Sequence, residues 1–127
     1  MKKKIAILGS TGSIGKSLIN ILKENKSEFE ILLLTSNTNY KELLKQVKIF
    51  KVKNIIINDY KTFLYVKKIL KNKKVNIYNN FENIQTIFKK KKIDYTMSAV
   101  TGFNGLKPTL DIIKFSKKIA IANKESI

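Results

Sequence analysis

Four apolar residues, Ile5-Ala6-Ile7-Leu8, run directly into Gly9-Ser10-Thr11-Gly12-Ser13-Ile14-Gly15, and this junction limits the possible folds more than any other feature of the sequence. A short unbroken apolar run is the signature of a strand buried on both faces. Beyond the glycines, Ile14, Leu18, Ile21 and Leu22 recur at helical spacing, with polar residues between them. Strand, glycine-rich turn and helix in that order form the setting of a dinucleotide fingerprint. Gly9 would permit the tight turn, Gly12 would let a pyrophosphate approach the backbone, and Gly15 would let the helix pack closely. Free N–H groups around Thr11–Ile14 and the helix dipole would favour an anion there. The spacing is G-x-x-G-x-x-G rather than G-x-G-x-x-G. An anion cradle and a tight turn that serves packing alone are both open on this segment.

The remaining sequence alternates in period. Strands are expected at 29–35, 54–58, 75–78, 93–100 and 118–122. Helices are expected from Tyr40, Leu43, Leu44, Val47 and Phe50; from Phe63, Val66, Ile69 and Leu70; from Phe81, Ile84, Ile87 and Phe88; and over 106–115. Asp59 and Asn80 stand where N-caps belong. No repeat, linker or composition shift interrupts the pattern. It predicts one α/β domain over residues 1–127, a Rossmann-like, doubly wound, mainly parallel sheet with helices on both faces.

The chain's five glycines fall in two turns, at 9–15 and at Gly102 and Gly105, and its one proline, Pro108, lies in the first turn of the helix that follows. In open α/β sheets, ligands bind at strand carboxyl ends beside the point where strand order reverses. The segment 93–100 is therefore expected to pair beside Ile5–Leu8, with Val75–Tyr78 as an outer strand.

Composition removes several classes of function. The chain has no cysteine and no histidine, which excludes thiolate or imidazole metal ligands and a Ser-His-Asp arrangement within it. No apolar run approaches the ~18–20 residues of a membrane span, and the charged start leads into glycines too soon for an export signal. A cytoplasmic location without membrane association is expected. The formal charge is +17, yet all 26 basic residues are lysine. Readers of nucleic acid favour arginine, whose fork pairs bidentately with guanine and phosphate. The lysines are dispersed, and lysine, isoleucine and asparagine together fill nearly half the chain. That bias needs no polyanion partner, so no nucleic-acid binding is expected.

NAD enzymes of this architecture place an acid about 20 residues past the glycines, on the ribose 2′-OH. Here that neighbourhood is Leu34-Thr35-Ser36-Asn37-Thr38-Asn39, with no acid and with Lys41 nearby. An acid would repel a 2′-phosphate by about 1 kcal/mol per charge in water and ~4 at an effective dielectric of 20. Its absence favours NADP. The same residues also read as an ordinary polar loop.

At Gly9-Ser-Thr-Gly-Ser-Ile-Gly15, at Ser98-Ala-Val-Thr-Gly102-Phe-Asn-Gly105-Leu-Lys-Pro108-Thr109-Leu110, and at Lys118-Ile-Ala-Ile-Ala-Asn123-Lys124-Glu125-Ser126-Ile127, the sequence resembles the 1-deoxy-D-xylulose 5-phosphate reductoisomerase family. The likeness runs in register along the whole chain, which looks like an amino-terminal fragment of roughly a third of a member. The resemblance implies an oxidoreductase and isomerase of non-mevalonate isoprenoid biosynthesis. Such an enzyme uses NADPH and a divalent Mg or Mn ion to convert 1-deoxy-D-xylulose 5-phosphate into 2-C-methyl-D-erythritol 4-phosphate.

Carried over by motif, Thr11, Gly12, Ser13, Ile14 and Asn39 would bind the cofactor's phosphates. Asn123 and Glu125 would face its nicotinamide side, and Lys124 would touch the sugar phosphate. The full-length protein would be a homodimer. The nine acids here do not converge as a metal site would require, so no metal ligand and no catalytic residue is expected within the chain. The fragment alone would be inactive. Asn37-Thr38-Asn39 departs from the basic loop that many members carry. Two other readings use the same residues: another NAD(P)-dependent oxidoreductase domain, and a non-enzymatic nucleotide-sensing module.

Overall fold

A computed structural model of the protein describes residues 2–88, 93–100 and 106–121. In chain order the elements are β1 (Lys3–Leu8), α1 (Ser13–Glu24), β2 (Phe29–Ser36), α2 (Tyr40–Phe50), β3 (Asn54–Ile57), α3 (Tyr60–Ile69), β4 (Asn76–Tyr78), α4 (Ile84–Ile87), β5 (Ile93–Ser98), α5 (Leu106–Ile113) and β6 (Ser116–Ile121). The six strands form one sheet in the order β4-β3-β2-β1-β5-β6, and every described pairing is parallel. The segment 93–98 does lie beside β1, and β4 is the outer strand.

The topology dictates where the helices go. From β1 to β4 each strand is laid down on the same side of the last. Right-handed crossovers then put α1, α2 and α3 on one face. At β5 the chain returns to the far side of β1 and proceeds the other way, so the next helices fall on the opposite face. The two buried clusters match this. Ile19, Leu22, Leu43, Val47 and Val66 cover one side of the sheet, and Ile84, Phe88 and Ile112 cover the other. The reversal between β1 and β5 is the switch point.

Four local features depart from the simple periodic reading. In α1 the buried positions are Gly15, Ile19 and Leu22. Ile14 and Ile21, expected in the core stripe, are 45% and 62% exposed. The cause is Gly15. A Cβ there would stand 2.6 Å from Ser10 Cα and closer still to the Gly9 carbonyl oxygen. This close approach fixes the helix's rotation and turns Ile14 outward. In β2 the register with β1 slips between Ile5 and Ala6, so Leu32 and Leu33 both join the α4–α5 side. The segment after Asn80 is a 3₁₀ turn (Phe81–Asn83) followed by the single turn α4, not a long helix. Ile69 of α3, also expected in the core, is 45% exposed, with Val66 carrying the contact.

A candidate dinucleotide site at the switch point

The glycine turn is fastened to the end of β2. Gly9 N–H donates to Thr35 Oγ1 (2.8 Å), Ser10 N–H to the Thr35 carbonyl (3.0 Å), and the Thr11 and Ser36 hydroxyls pair at 2.8 Å. Gly9 has φ +76°, and a Cβ on it would meet the backbone of Ala99 at 3.0 Å. That close approach and the left-handed backbone both require glycine. Gln46 of α2 completes the cradle: its buried amide donates to the Ser10 carbonyl at 3.0 Å. Sequence reading missed Gln46. Its signal was a polar residue inside the apolar stripe Leu43, Val47, Phe50.

Gly12 is the N-cap of α1, with φ −76° and ψ 176° and no side chain to cap the helix. By contrast, α2 is capped by Asn39, α3 by Asp59 and the 3₁₀ turn by Asn80. A Cβ at Gly12 would find only the Gly9 carbonyl oxygen, at 3.9 Å, so the space above it is open. First-turn N–H groups without a side-chain acceptor, facing open space at the positive end of a helix dipole, suit an anion.

In front of this turn lies a cleft of about 200 Å³, lined by Gly9, Thr11, Gly12, Ser36, Asn37, Asn58, Phe81 and Val100 among others. It sits at the carboxyl ends of β1, β2, β3 and β5. Of the sequence-derived site residues, Thr11 and Gly12 line the cleft, and Ser13 and Ile14 open α1 beside it with exposed side chains. Asn39 is turned to another task, accepting from Glu42 N–H at 3.3 Å as the α2 cap. Asn123, Lys124 and Glu125, together with Gly102 and Gly105, lie outside the described residues.

The loop expected to read the 2′ position divides in two. Thr35 and Ser36 are buried and hold the glycine turn, while Asn37 is exposed at the cleft. Asp59, at the exit of β3, has its pKa lowered by hydrogen bonds from the Thr62 hydroxyl and N–H, as a helix cap should. Among the described residues no group of three or more acids, histidines or cysteines converges, and no helix is long and apolar enough to cross a membrane.

Known proteins resemble the chain along its length. The family profile described as 1-deoxy-D-xylulose 5-phosphate reductoisomerase matches residues 5–127. The protein of that name from Pelagibacter ubique is 63% identical over 126 residues, which is 98% of this chain and 32% of that protein. The one from Proteus mirabilis is 39% identical, over 98% of this chain and 32% of its own length. The Zymomonas mobilis enzyme in complex with NADPH superposes with a TM-score of 0.88 at 32% identity, over 99% of this chain and 33% of that one. A reductoisomerase structure with NADPH, fosmidomycin and magnesium gives 0.86 at 28% identity, over 98% and 31%. The chain thus spans about a third of the length of the relatives it matches. Sequence, fold and the glycine turn agree: the chain belongs to the 1-deoxy-D-xylulose 5-phosphate reductoisomerase family.

Proposed function

We propose that residues 1–127 form the NADPH-binding domain of a reductoisomerase that converts 1-deoxy-D-xylulose 5-phosphate to 2-C-methyl-D-erythritol 4-phosphate. The observation that carries this reading is the open space over Gly12, at a helix start without a side-chain cap, beside the switch-point cleft. The first-turn N–H groups from Thr11 to Ile14 hold the pyrophosphate, and Gly12 lets it come within contact of the backbone. Bound there, NADPH supplies the hydride for the reductive half of the reaction.

Asn37, with no acid between Leu34 and Asn39, leaves room and hydrogen-bond donors for a 2′-phosphate. Asn39 contributes its amide NH₂ while its oxygen caps α2. By likeness to the family, Asn123 and Glu125 meet the nicotinamide side and Lys124 meets the anionic sugar phosphate. The divalent ion of such chemistry would be held by carboxylates elsewhere in the complete enzyme, which we take to be a cytoplasmic homodimer. The dispersed lysines serve as a solvated surface rather than as a nucleic-acid interface.

Titrating the purified chain with NADPH and then NADH, followed by nicotinamide fluorescence, tests this. Saturable binding with NADPH tighter is the expected result. A folded chain that binds neither, or binds NADH more tightly, overturns it.

A further inference from the structure

The cleft has a lining of two unlike kinds. Thr11, Ser36, Asn37 and Asn58 make part of its lining polar, and Phe81, Ala99 and Val100 make part of it apolar. Ordered along the sheet, the lining runs from Gly9 and Gly12 after β1, through Ser36 and Asn37 after β2, to Asn58 after β3 and Phe81 after β4. A nucleotide whose phosphate rests on Gly12 and whose ribose lies at Ser36–Asn37 therefore brings its base between Asn58 and Phe81.

Phe81 is held there deliberately. Asn79, just past β4, donates its amide to the carbonyls of Ile57 (3.0 Å) and Asn58 (3.3 Å), tying this loop to the exit of β3. Asn80 caps the 3₁₀ turn that Phe81 begins, accepting from Glu82 N–H at 2.9 Å. One part of the ring packs on the cluster containing Ile84 and Phe88; the part left over lines the cleft. A half-buried aromatic ring on a pinned turn, in the same lining as two asparagines that both donate and accept, matches the chemistry of a flat heteroaromatic base.

We propose that Phe81 is the stacking wall for the base of the bound nucleotide, with Asn37 and Asn58 facing the base and ribose edges. The inference rests on the dinucleotide reading above and goes beyond it in naming the residue. Stacking on an aromatic side chain contributes enough that its loss weakens binding by roughly 5- to 150-fold.

The probes are adenosine 2′,5′-bisphosphate, which carries base, ribose and phosphates without nicotinamide, and inorganic pyrophosphate, which carries the anion alone. Phe81→Leu keeps an apolar side chain for the core but removes the ring. It is expected to weaken the bisphosphate about 5-fold or more and to leave pyrophosphate binding unchanged. Phe81→Trp introduces the sole tryptophan of the chain and keeps a stacking face. Its fluorescence is expected to be quenched on adding the bisphosphate. Unchanged bisphosphate affinity in Phe81→Leu overturns the proposal, as does an equal loss of both probes, which marks Phe81 as structural only. Should Phe81→Leu fail to fold, a tryptophan variant that binds without quenching overturns it as well. Wild-type chain that binds pyrophosphate but not the bisphosphate refutes the stacking wall alone. If it binds neither, the dinucleotide reading falls with it.

Discussion

The cleft at the switch point opens past the carboxyl end of β1, whereas a second, larger concavity lies alongside that strand and differs from the cleft in chemistry. The larger one, about 430 Å³, is a groove on the α1 face, bounded by Ile5, Leu18, Leu22, Phe29, Tyr95 and Met97 and rimmed by Lys3, Asp94, Lys117 and Lys118. Its floor is apolar, with Tyr95 37% exposed. The cleft is half that size, and its lining mixes glycines, hydroxyls and amides with Phe81, Ala99 and Val100. Between these two, volume would choose the groove. The glycine turn, the open space over Gly12 and the strand carboxyl ends choose the cleft.

The groove has a topological origin. The crossovers that build β5 and β6 place α4 and α5 on the other face, so the α1 side of these two strands has no helix among the described residues. The half of the sheet from β1 to β3 is covered on both faces and the half at β5–β6 on one. The candidate cleft is anchored on the covered half.

Several substitutions put this contrast under load. The largest effect is expected within the glycine turn itself. Gly15→Val forces a side chain into Ser10 and should destabilise the fold by about 3 kcal/mol or more in urea unfolding. Gly12→Val has extended backbone and open space, so it should unfold like wild type and yet lose NADPH binding. Equal stability losses at the two positions would refute the division between a packing glycine and a ligand glycine.

Core truncation is expected to separate the two halves of the sheet. Leu34→Ala, fully buried beneath α1 and α2, should cost about 2–5 kcal/mol. Tyr95→Ser, on the floor of the groove, should stay within about 0.5 kcal/mol of wild type. A large loss at Tyr95 would mean that the groove is not open in solution.

The smallest effect concerns Asp94 on the groove's rim. The Lys4 N–H (2.9 Å) and then the Lys117 ammonium (3.2 Å) hold its pKa below the usual carboxylate range. A depressed folded pKa contributes stability above the unfolded value, and that contribution is lost as pH falls through the folded one. Wild-type stability should therefore fall more steeply than that of Asp94→Asn from about pH 5 downward. Parallel pH profiles for the two proteins would show that the exposed pair contributes nothing.

Much of this was legible in the sequence because it is local. Period-2 and period-3.6 patterns marked the alternating elements, the glycines marked the switch point, and Asp59 marked a helix start that the structure confirms, while Asn80 proved to cap a 3₁₀ turn. What was not legible depends on contacts between distant segments. The Leu32–Leu33 slip arises from pairing with β1, not from any property of the run Ile31-Leu32-Leu33-Leu34. The outward turn of Ile14 follows from Gly15 meeting Ser10. Ser36 belongs to the polar loop that the sequence offers to a 2′-phosphate, but its hydroxyl pairs with Thr11 of the glycine turn. Gln46 and Phe81 sit among apolar neighbours whose spacing alone assigns them to the core.

The central claim is that the nucleotide occupies the small switch-point cleft and not the larger apolar groove. Amide hydrogen exchange with and without saturating NADPH tests it directly. Slowed exchange at residues 10–16, 36–39, 58–59 and 79–82, with 94–97 and 117–118 unchanged, is the predicted result. Protection concentrated at 94–97 and 117–118, with the glycine turn unaffected, would contradict it.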